Sequence, residues 1–538
     1  MPDDLPRSGA DALVRRLRDH GVRHIFGYPG GQMTPIYDAL YRDGTIRHFL
    51  ARHEQAAAFM ADGYARATGR PGVCLAVCGP GVLNAATPLG TAFTDSVPLL
   101  LISGQIPTQG RGLRSGYYHE NDQLAACAAM TKCSARVERV EEVVPALDRA
   151  FAALTAGRPG PVLFEVPLDV LRAEYPPAVW PSPPAQLAPP SPDPSAVPTL
   201  ATLLKGWHRP LLLAGGGVVS AGAEALLVRL AERLGAPVFH TAMGKSAVPS
   251  DHPLAAGLPW HRATSDLTNM ASFFSPLFTE ADGLLAVGCR FTQLATGSWT
   301  MPLPKSIAQI DVDHAEIGRH YRVTAGVCAD ARLALQGLLE ELPPEPRHPW
   351  APPPDTRQAW RLPGMDLIGP LRRALPRDAI VAADITRLGY IMLAEFPVYQ
   401  PRTFLHPAGF VAMGHGLPAA LGAKAAFPER AVVAILGDGC FQMCGMELAT
   451  AVQERLPVVS VVVNDGALTL IKAIQQRRYE SRFLGVDLLN PDFGTFAQAF
   501  GVPYWRTDDD AAFEAALGEA LAADAPALIE VRPGDARR

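Results

Sequence analysis

Gly437-Asp438-Gly439 stands directly after the apolar run Val432 to Leu436, and Asn464-Asp465 directly after Pro457 to Val463. Both runs read as buried strands, with a helix-forming stretch, Glu447 to Arg455, between them. Two parallel strands would thus deliver two carboxylates and an amide to one edge of a sheet. Glycines beside an aspartate let backbone close tightly around a phosphate. Oxygen donors suit Mg²⁺, which takes one or two carboxylates plus phosphate oxygens. The pattern reads as a metal–diphosphate clamp at the carboxyl end of a parallel sheet, where open α/β folds bind ligands. Gly-Asp-Gly alone reads as a tight strand–helix turn with a solvated Asp; the paired Asn464-Asp465 favours the clamp.

A second group lies near the N-terminus. Arg52-His53-Glu54-Gln55 opens a helical stretch that runs to Gly69. Cys78-Gly79-Pro80-Gly81 follows a short strand, Val73 to Val77, and Thr94 to Pro98 leads into Leu99 to Gln105. Ser8 is a helix N-cap, with a stop at Gly21. The strand Val22 to Phe26 ends in Tyr28-Pro29-Gly30-Gly31.

The elements that must position these residues fall into three blocks. Proline-rich stretches at 176–198 and 343–359 can be neither helix nor central strand and read as extended linkers. They divide the chain into domains at 1–175, 199–342 and 360–538. The β-turn-α rhythm predicts α/β domains with parallel sheets. The middle block carries Leu211 to Gly217, a helix over Ala221 to Leu234, then Gly283 to Gly288 and Ile310 to Asp313. This is a Rossmann-like wind without a full G-x-G-x-x-G fingerprint.

Composition bounds the function. The 538 residues are 48% apolar and 19% charged, with a formal net charge of -5, so a sizeable core forms and nucleic acid is not the expected partner. Eight scattered cysteines show no C-x-x-C pair and no accompanying His cluster, so they read as small buried residues in a reducing compartment. No apolar run reaches the ~18 residues of a membrane span, and the acidic Met1-Pro2-Asp3-Asp4 start lacks an apolar signal region. A soluble, cytoplasmic protein without membrane contact is expected.

Together, the clamp, the Glu54 stretch and the Gly79-Pro80-Gly81 and Ser103-Gly104-Gln105 segments closely resemble the acetohydroxyacid (acetolactate) synthase branch of thiamine-diphosphate (ThDP) enzymes, over nearly the whole chain. The resemblance implies two ThDP-binding domains, for pyrimidine and diphosphate, flanking the Rossmann-like one. It implies Mg²⁺ ligation by Asp438, Asp465 and the Ala467 carbonyl. The cofactor would contact Gly30, Gly437, Gly439 and Asn464, Met413 would prop it in a bent shape, and the carbonyl near Val411 would hold its amino group. Glu54 would hydrogen-bond the aminopyrimidine ring and promote proton removal from C2, aided by a carboxyl raised in apolar surroundings. The cofactor would bridge two subunits, so a homo-oligomer is expected. Some relatives hold FAD in the middle domain; the incomplete glycine fingerprint favours its absence here.

Several residues depart from the synthase pattern. Tyr118-His119-Glu120 replaces a Phe-Gln-Glu run, placing His119 where a Gln would approach the reacting carbonyl, with Tyr118 and Gly31 beside it. A His there could donate a hydrogen bond or shuttle protons near neutral pH. Leu294 stands where the synthases have an Arg that grips the acceptor carboxylate, and Ile474 stands at a Trp position that selects the acceptor. His415 replaces an aromatic and, like His406, is expected near the diphosphate or substrate, or in packing. The leading expectation is decarboxylation of a 2-oxo acid with carbon–carbon ligation of the acyl fragment to a carbonyl acceptor. A simple decarboxylase releasing an aldehyde is the alternative, favoured by His119 and the missing Arg. A catalytically silent regulatory homologue is a third reading, opposed by the intact Glu54, Asp438 and Asp465.

Overall fold

The fold is that of a computed structural model describing residues 6–110, 112, 115–176, 180–184, 187–261, 273–352, 354, 362 and 364–534. Parts of both proline-rich linkers therefore lie outside the described residues. The first sheet contains β1 (His24–Gly27), β2 (Arg47–Leu50), β3 (Gly72–Ala76), β4 (Leu99–Gln105), β5 (Cys133–Arg136) and β6 (Val162–Pro167). Its order is β2-β1-β3-β4-β6-β5, parallel throughout. The middle domain has β7 (Pro210–Ala214), β8 (Val238–His240), β9 (Ala255–Gly257), a small antiparallel pair β10 (Trp260–His261) and β11 (Phe273–Phe274), then β12 (Gly283–Val287), β13 (Ser306–Asp311) and β14 (Ala325–Cys328). Its six-stranded sheet runs β14-β13-β12-β7-β8-β9. Counted within the sheet and read from β9, that is 3-2-1-4-5-6, the order of dinucleotide-binding folds. The third sheet contains β15 (Ile380–Ala383), β16 (Phe404–Leu405), β17 (Val432–Gly437), β18 (Val458–Val463), β19 (Tyr504–Thr507) and β20 (Ala527–Val531), ordered β16-β15-β17-β18-β20-β19.

The first and third sheets thus share one topology. In each, the first and third strands lie side by side, so a topological switch point opens between them. β3, β4, β17 and β18 are buried along nearly their whole length, as strands covered by helices on both faces must be.

Six helices matter for the argument: α1 (Gly9–Asp19), α2 (Glu54–Thr68), α3 (Gly416–Ala426), α4 (Asp438–Cys444), α5 (Glu447–Glu454) and α6 (Thr469–Arg478). α1 starts at Ser8 through a reciprocal capping box with Asp11, as a Ser three residues before an acid predicts. α2 and α3 are topological equivalents, each joining the second strand of its sheet to the third. They pack against each other antiparallel. A side chain at position 63 would meet the Ala419 carbonyl oxygen at 2.2 Å, and one at 422 the Met60 oxygen at 1.9 Å. Two glycines therefore permit this contact, and residues of both domains merge into one apolar core around it.

The middle domain corrects one boundary. The helix expected over Ala221 to Leu234 starts only at Glu224, after a short helix Gly216–Ser220 and a turn at Gly222, whose φ of 57° breaks the path. All eight cysteines are free, and six are buried. Among the described residues no helix is long and apolar enough to cross a membrane.

Candidate active site

The clamp forms at the carboxyl ends of β17 and β18, one strand over from the switch point of the third sheet. β17 ends at Gly437, and Asp438 opens α4 with its carboxylate nearly buried. Asp438 Oδ1 accepts from the Gly439 N–H at 2.8 Å, and Oδ2 accepts from the Gly466 N–H at 2.9 Å and Asn490 Nδ2 at 2.7 Å. Asn490 Nδ2 also donates to Asn464 Oδ1 at 2.7 Å, and Asn464 Nδ2 donates to buried Glu530 at 2.7 Å. Asp465 is held by the Thr469 hydroxyl at the start of α6. Residues 466–468 pair with 486–488, Leu468 N–H donating to the Val486 oxygen at 2.7 Å and Leu488 N–H to the Gly466 oxygen at 2.9 Å. This pairing includes the Ala467–Asp487 bridge, which fixes the Ala467 backbone. Met413 reaches the same spot: a Cβ on Gly439 would stand 3.2 Å from Met413 Cε.

Burial pushes the Asp438 carboxyl up, opposed by Asn490 and reinforced by the Asp465 charge, and burial likewise raises Asp465. Two carboxylates that repel each other in low dielectric favour a cation between them. Among the described residues no cluster of three or more His, Cys, Asp or Glu is suited to a metal. Asp438 and Asp465, with the Ala467 backbone near them, offer oxygen donors only, without thiol or imidazole. Such a set fits Mg²⁺ whose remaining positions are filled by phosphate oxygens or water.

The second cluster lies at the switch point of the first sheet. Glu54 is the first residue of α2, half-buried, and accepts from Asn84 Nδ2 at 3.0 Å. Positions 30 and 81 both face Val77, since a Cβ there would lie 2.4 Å from Val77 Cγ2 and 2.8 Å from Val77 Cγ1 respectively. Position 81 also faces Glu54 Oε1 at 3.2 Å. His119 adjoins Gly79, stacks on exposed Tyr118 at 3.9 Å, and has φ of 68° with its Nδ1 buried and unpartnered. A non-glycine residue in the left-handed region with an orphaned ring nitrogen is a strained feature of the kind found at functional sites. Gly31 stands open beside this cluster.

One chain does not bring the two clusters together. His415 Nε2 meets Asp62 Oδ2 at 3.1 Å, eight residues into α2 from Glu54, which is about 12 Å along a helix axis. Met413, two residues before His415, therefore lies towards the far end of α2 from Glu54. Val411 and Phe410 are exposed, although the Phe410 backbone is clipped to the first domain by Thr91 and Thr94.

Of the two outcomes expected for His415 and His406, packing is the one found, and Leu294 lines a separate cavity. His415 is fully buried between α2 and α3, edge-on to Phe59 and bonded to Asp62, so it packs and pairs rather than facing substrate. His406 is buried too; its Nδ1 lies 2.9 Å from the Ala383 oxygen, and burial lowers its ring to about 4. Leu294 lines a cavity of about 420 Å³ at the junction of the three domains, with Arg66, Gly216, Gly217, Lys245, Arg290 and Asp311. Neither Glu54 nor the clamp segments line that cavity. Ile474 is half-buried on α6, the helix whose first residue, Thr469, bonds Asp465.

Sequence reasoning missed Asn490, Glu530 and Glu447. Asn490 stands directly before Pro491-Asp492, a turn signal that could have drawn notice. The two glutamates carry no local signal, because their partners are distant in the chain.

Family models match three stretches: thiamine pyrophosphate enzyme N-terminal TPP binding domain at residues 7–126, central domain at 197–338 and C-terminal TPP binding domain at 384–531. The chain is 36% identical to a probable acetolactate synthase large subunit of Methanocaldococcus jannaschii, covering 97% of this chain and 91% of that protein. It is 35% identical to the acetolactate synthase isozyme 3 large subunit of Escherichia coli, covering 96% and 92%. It is equally similar, at 36% and covering 98% and 95%, to a probable 2-ketoarginine decarboxylase of Pseudomonas aeruginosa.

Proposed function

The chain belongs to the thiamine pyrophosphate enzyme family, and from that premise we propose that it decarboxylates a 2-oxo acid with ThDP and Mg²⁺ and joins the acyl fragment to a carbonyl acceptor. The observation that carries this reading is the clamp of Asp438, Asn464 and Asn490, cross-linked by hydrogen bonds, with Asp465 held beside it by Thr469 and Met413 against it. Bound ThDP supplies the nucleophilic carbon and the electron sink. The chain's residues bind and orient. Asp438, Asp465 and the Ala467 carbonyl hold the cation; Gly437, Gly439 and Asn464 contact the diphosphate; Gly30 contacts the cofactor in the first domain; Met413 and the Val411 carbonyl set the cofactor's shape.

Glu54 would hold and release a proton at its carboxyl beside the aminopyrimidine ring. Its distance from Met413 in one chain supports a site completed by a second copy, and hence a homo-oligomer. We place the enzyme in the cytoplasm. Incubation with pyruvate and with a panel of 2-oxo acids, with and without aldehyde acceptors, tests the reading by mass spectrometry. Carbon dioxide with acetolactate or another hydroxyketone is expected; aldehyde as the sole product overturns the ligation.

A simple decarboxylase is the second reading, favoured by His119, whose Nδ1 has no partner and whose backbone sits at positive φ, and by the decarboxylase name of one relative. For the middle domain, the glycine pattern favours no FAD, whereas the cavity of about 420 Å³ is of ligand-binding size. The visible absorption of the purified protein decides between them.

A further inference from the structure

α5 of the third domain lies along the segment that leads into α2 of the first. The Arg52 N–H donates to both carboxylate oxygens of Glu447, at 3.0 and 3.2 Å. The Thr450 hydroxyl lies 2.6 Å from Glu447 Oε2 and 3.1 Å from the Leu50 carbonyl. At the rim, Arg52 donates to Gln453 at 2.8 Å and Arg47 to the Glu454 carbonyl at 2.8 Å. Residues 47–52 are therefore clipped to α5 turn by turn. Glu447 is the buried member, 1% exposed, and burial pushes its carboxyl up to about 7.

A buried carboxylate is costly unless its hydrogen bonds do something an apolar residue could not. Glu447 gives both oxygens to a backbone amide two residues before Glu54. His53 then caps α2, its Nδ1 accepting from the Gln55 N–H at 3.1 Å, and Glu54 follows as the first helical residue. Among the described residues, the Glu54 side chain has a single hydrogen bond, from Asn84. Its location thus depends on where the 52–54 backbone is held. α5 is separated from α4, the helix headed by Asp438, by only Gly445 and Met446.

We propose that Glu447 is a positioning residue for Glu54: by gripping the Arg52 amide from the diphosphate-binding domain, it sets the height at which the Glu54 carboxylate enters its cofactor site. The inference rests on the reading of Glu54 as the residue that relays the proton. Its consequence is specific. Loss of the grip slows proton exchange at the cofactor's C2 while leaving the clamp, and hence cofactor binding, in place.

The test compares the wild type, E54Q, E447A, E447Q and T450A as full-length proteins loaded with ThDP and Mg²⁺. C2 hydrogen–deuterium exchange is measured by quenched NMR, and ThDP affinity by calorimetry. E447A is expected to slow exchange about tenfold with ThDP affinity within about threefold. E447Q keeps one acceptor for the Arg52 amide and is expected to recover more than half of that loss on a logarithmic scale. If E447A does not fold, the comparison of T450A with E447Q carries the test. T450A removes the hydroxyl that orients Glu447, and an exchange slowed about threefold or more supports the proposal. Exchange at the wild-type rate in E447A, or in T450A where E447A does not fold, overturns it if E54Q is slow. An exchange loss matched by an equal loss of ThDP affinity also overturns it. A wild-type rate in E54Q instead removes the underlying reading of Glu54.

Discussion

The first and third domains share a strand order, and each places a cluster at the carboxyl edge of its sheet, yet the two clusters differ in how they are held. In the third domain Asp438, Asn464, Asn490 and Glu530 bond to one another, and every carboxylate has at least one donor. Among the described residues of the first domain, Glu54 accepts one side-chain hydrogen bond and His119 leaves a ring nitrogen unpartnered. One scaffold thus carries a self-supporting cluster, proposed above to bind, and a sparse one, proposed above to react. Groups that only hold a ligand benefit from complete hydrogen bonding. Groups that exchange protons need unsatisfied capacity for the ligand to fill. The chemistry lives in the loops rather than in the shared fold.

The largest effect expected from this contrast is at Glu54. E54Q is predicted to slow turnover on a 2-oxo acid by about 100-fold or more, as loss of a general acid–base group does, with ThDP affinity nearly unchanged. Steady-state rates and calorimetry check both parts; a parallel loss of affinity would make Glu54 a binding residue and erase the contrast. Next comes the cross-link of the binding half. N490A removes the side-chain donor to Asp438, leaving only the Gly439 and Gly466 amides, and the donor to Asn464 Oδ1, and is predicted to raise the Mg²⁺ concentration for half-activation about tenfold, in the range for residues that orient metal ligands. An unchanged Mg²⁺ requirement would show that Asp438 orients itself.

This difference also explains what was legible in the sequence. Asp438 and Asp465 are readable because each follows its own strand directly, so local pattern and site coincide. The parallel-sheet architecture is readable for the same reason, since strand and turn signals are local. Asn490 acts on a partner 52 residues away, Glu530 on one 66 away and Glu447 on one 395 away, and no local pattern encodes such pairings. His415 shows the converse: its position in a glycine-rich run beside Met413 suggested the site, but Asp62, 353 residues earlier, draws it into the α2–α3 interface.

A smaller effect is expected at His119. H119F removes the unpartnered Nδ1 while keeping an aromatic ring against Tyr118. It is predicted to shift the ratio of aldehyde to hydroxyketone severalfold away from aldehyde, with little change in cofactor affinity. Product analysis at matched conversion checks this; an unchanged ratio would assign proton delivery to another group and leave His119 a loop residue.

The smallest effect sharpens the comparison at the joint between the halves. Burial raises the Glu447 carboxyl from 4.5 to about 7. A folded-state value above the unfolded one means that the contribution is fully present below about pH 4.5 and is lost as pH rises through about 7, because the folded protein then holds a buried charge that the unfolded chain would solvate. The ceiling on that loss is about 3 kcal/mol. Glutamine at 447 does not titrate. The wild type is therefore predicted to lose a few degrees of Tm relative to E447Q between pH 5 and pH 8, read from parallel thermal melts. Curves that stay parallel across that window would mean that the Arg52 amide and Thr450 already compensate the charge. The joint would then be as fully satisfied as the clamp, and the sparse half would begin only at Glu54 itself.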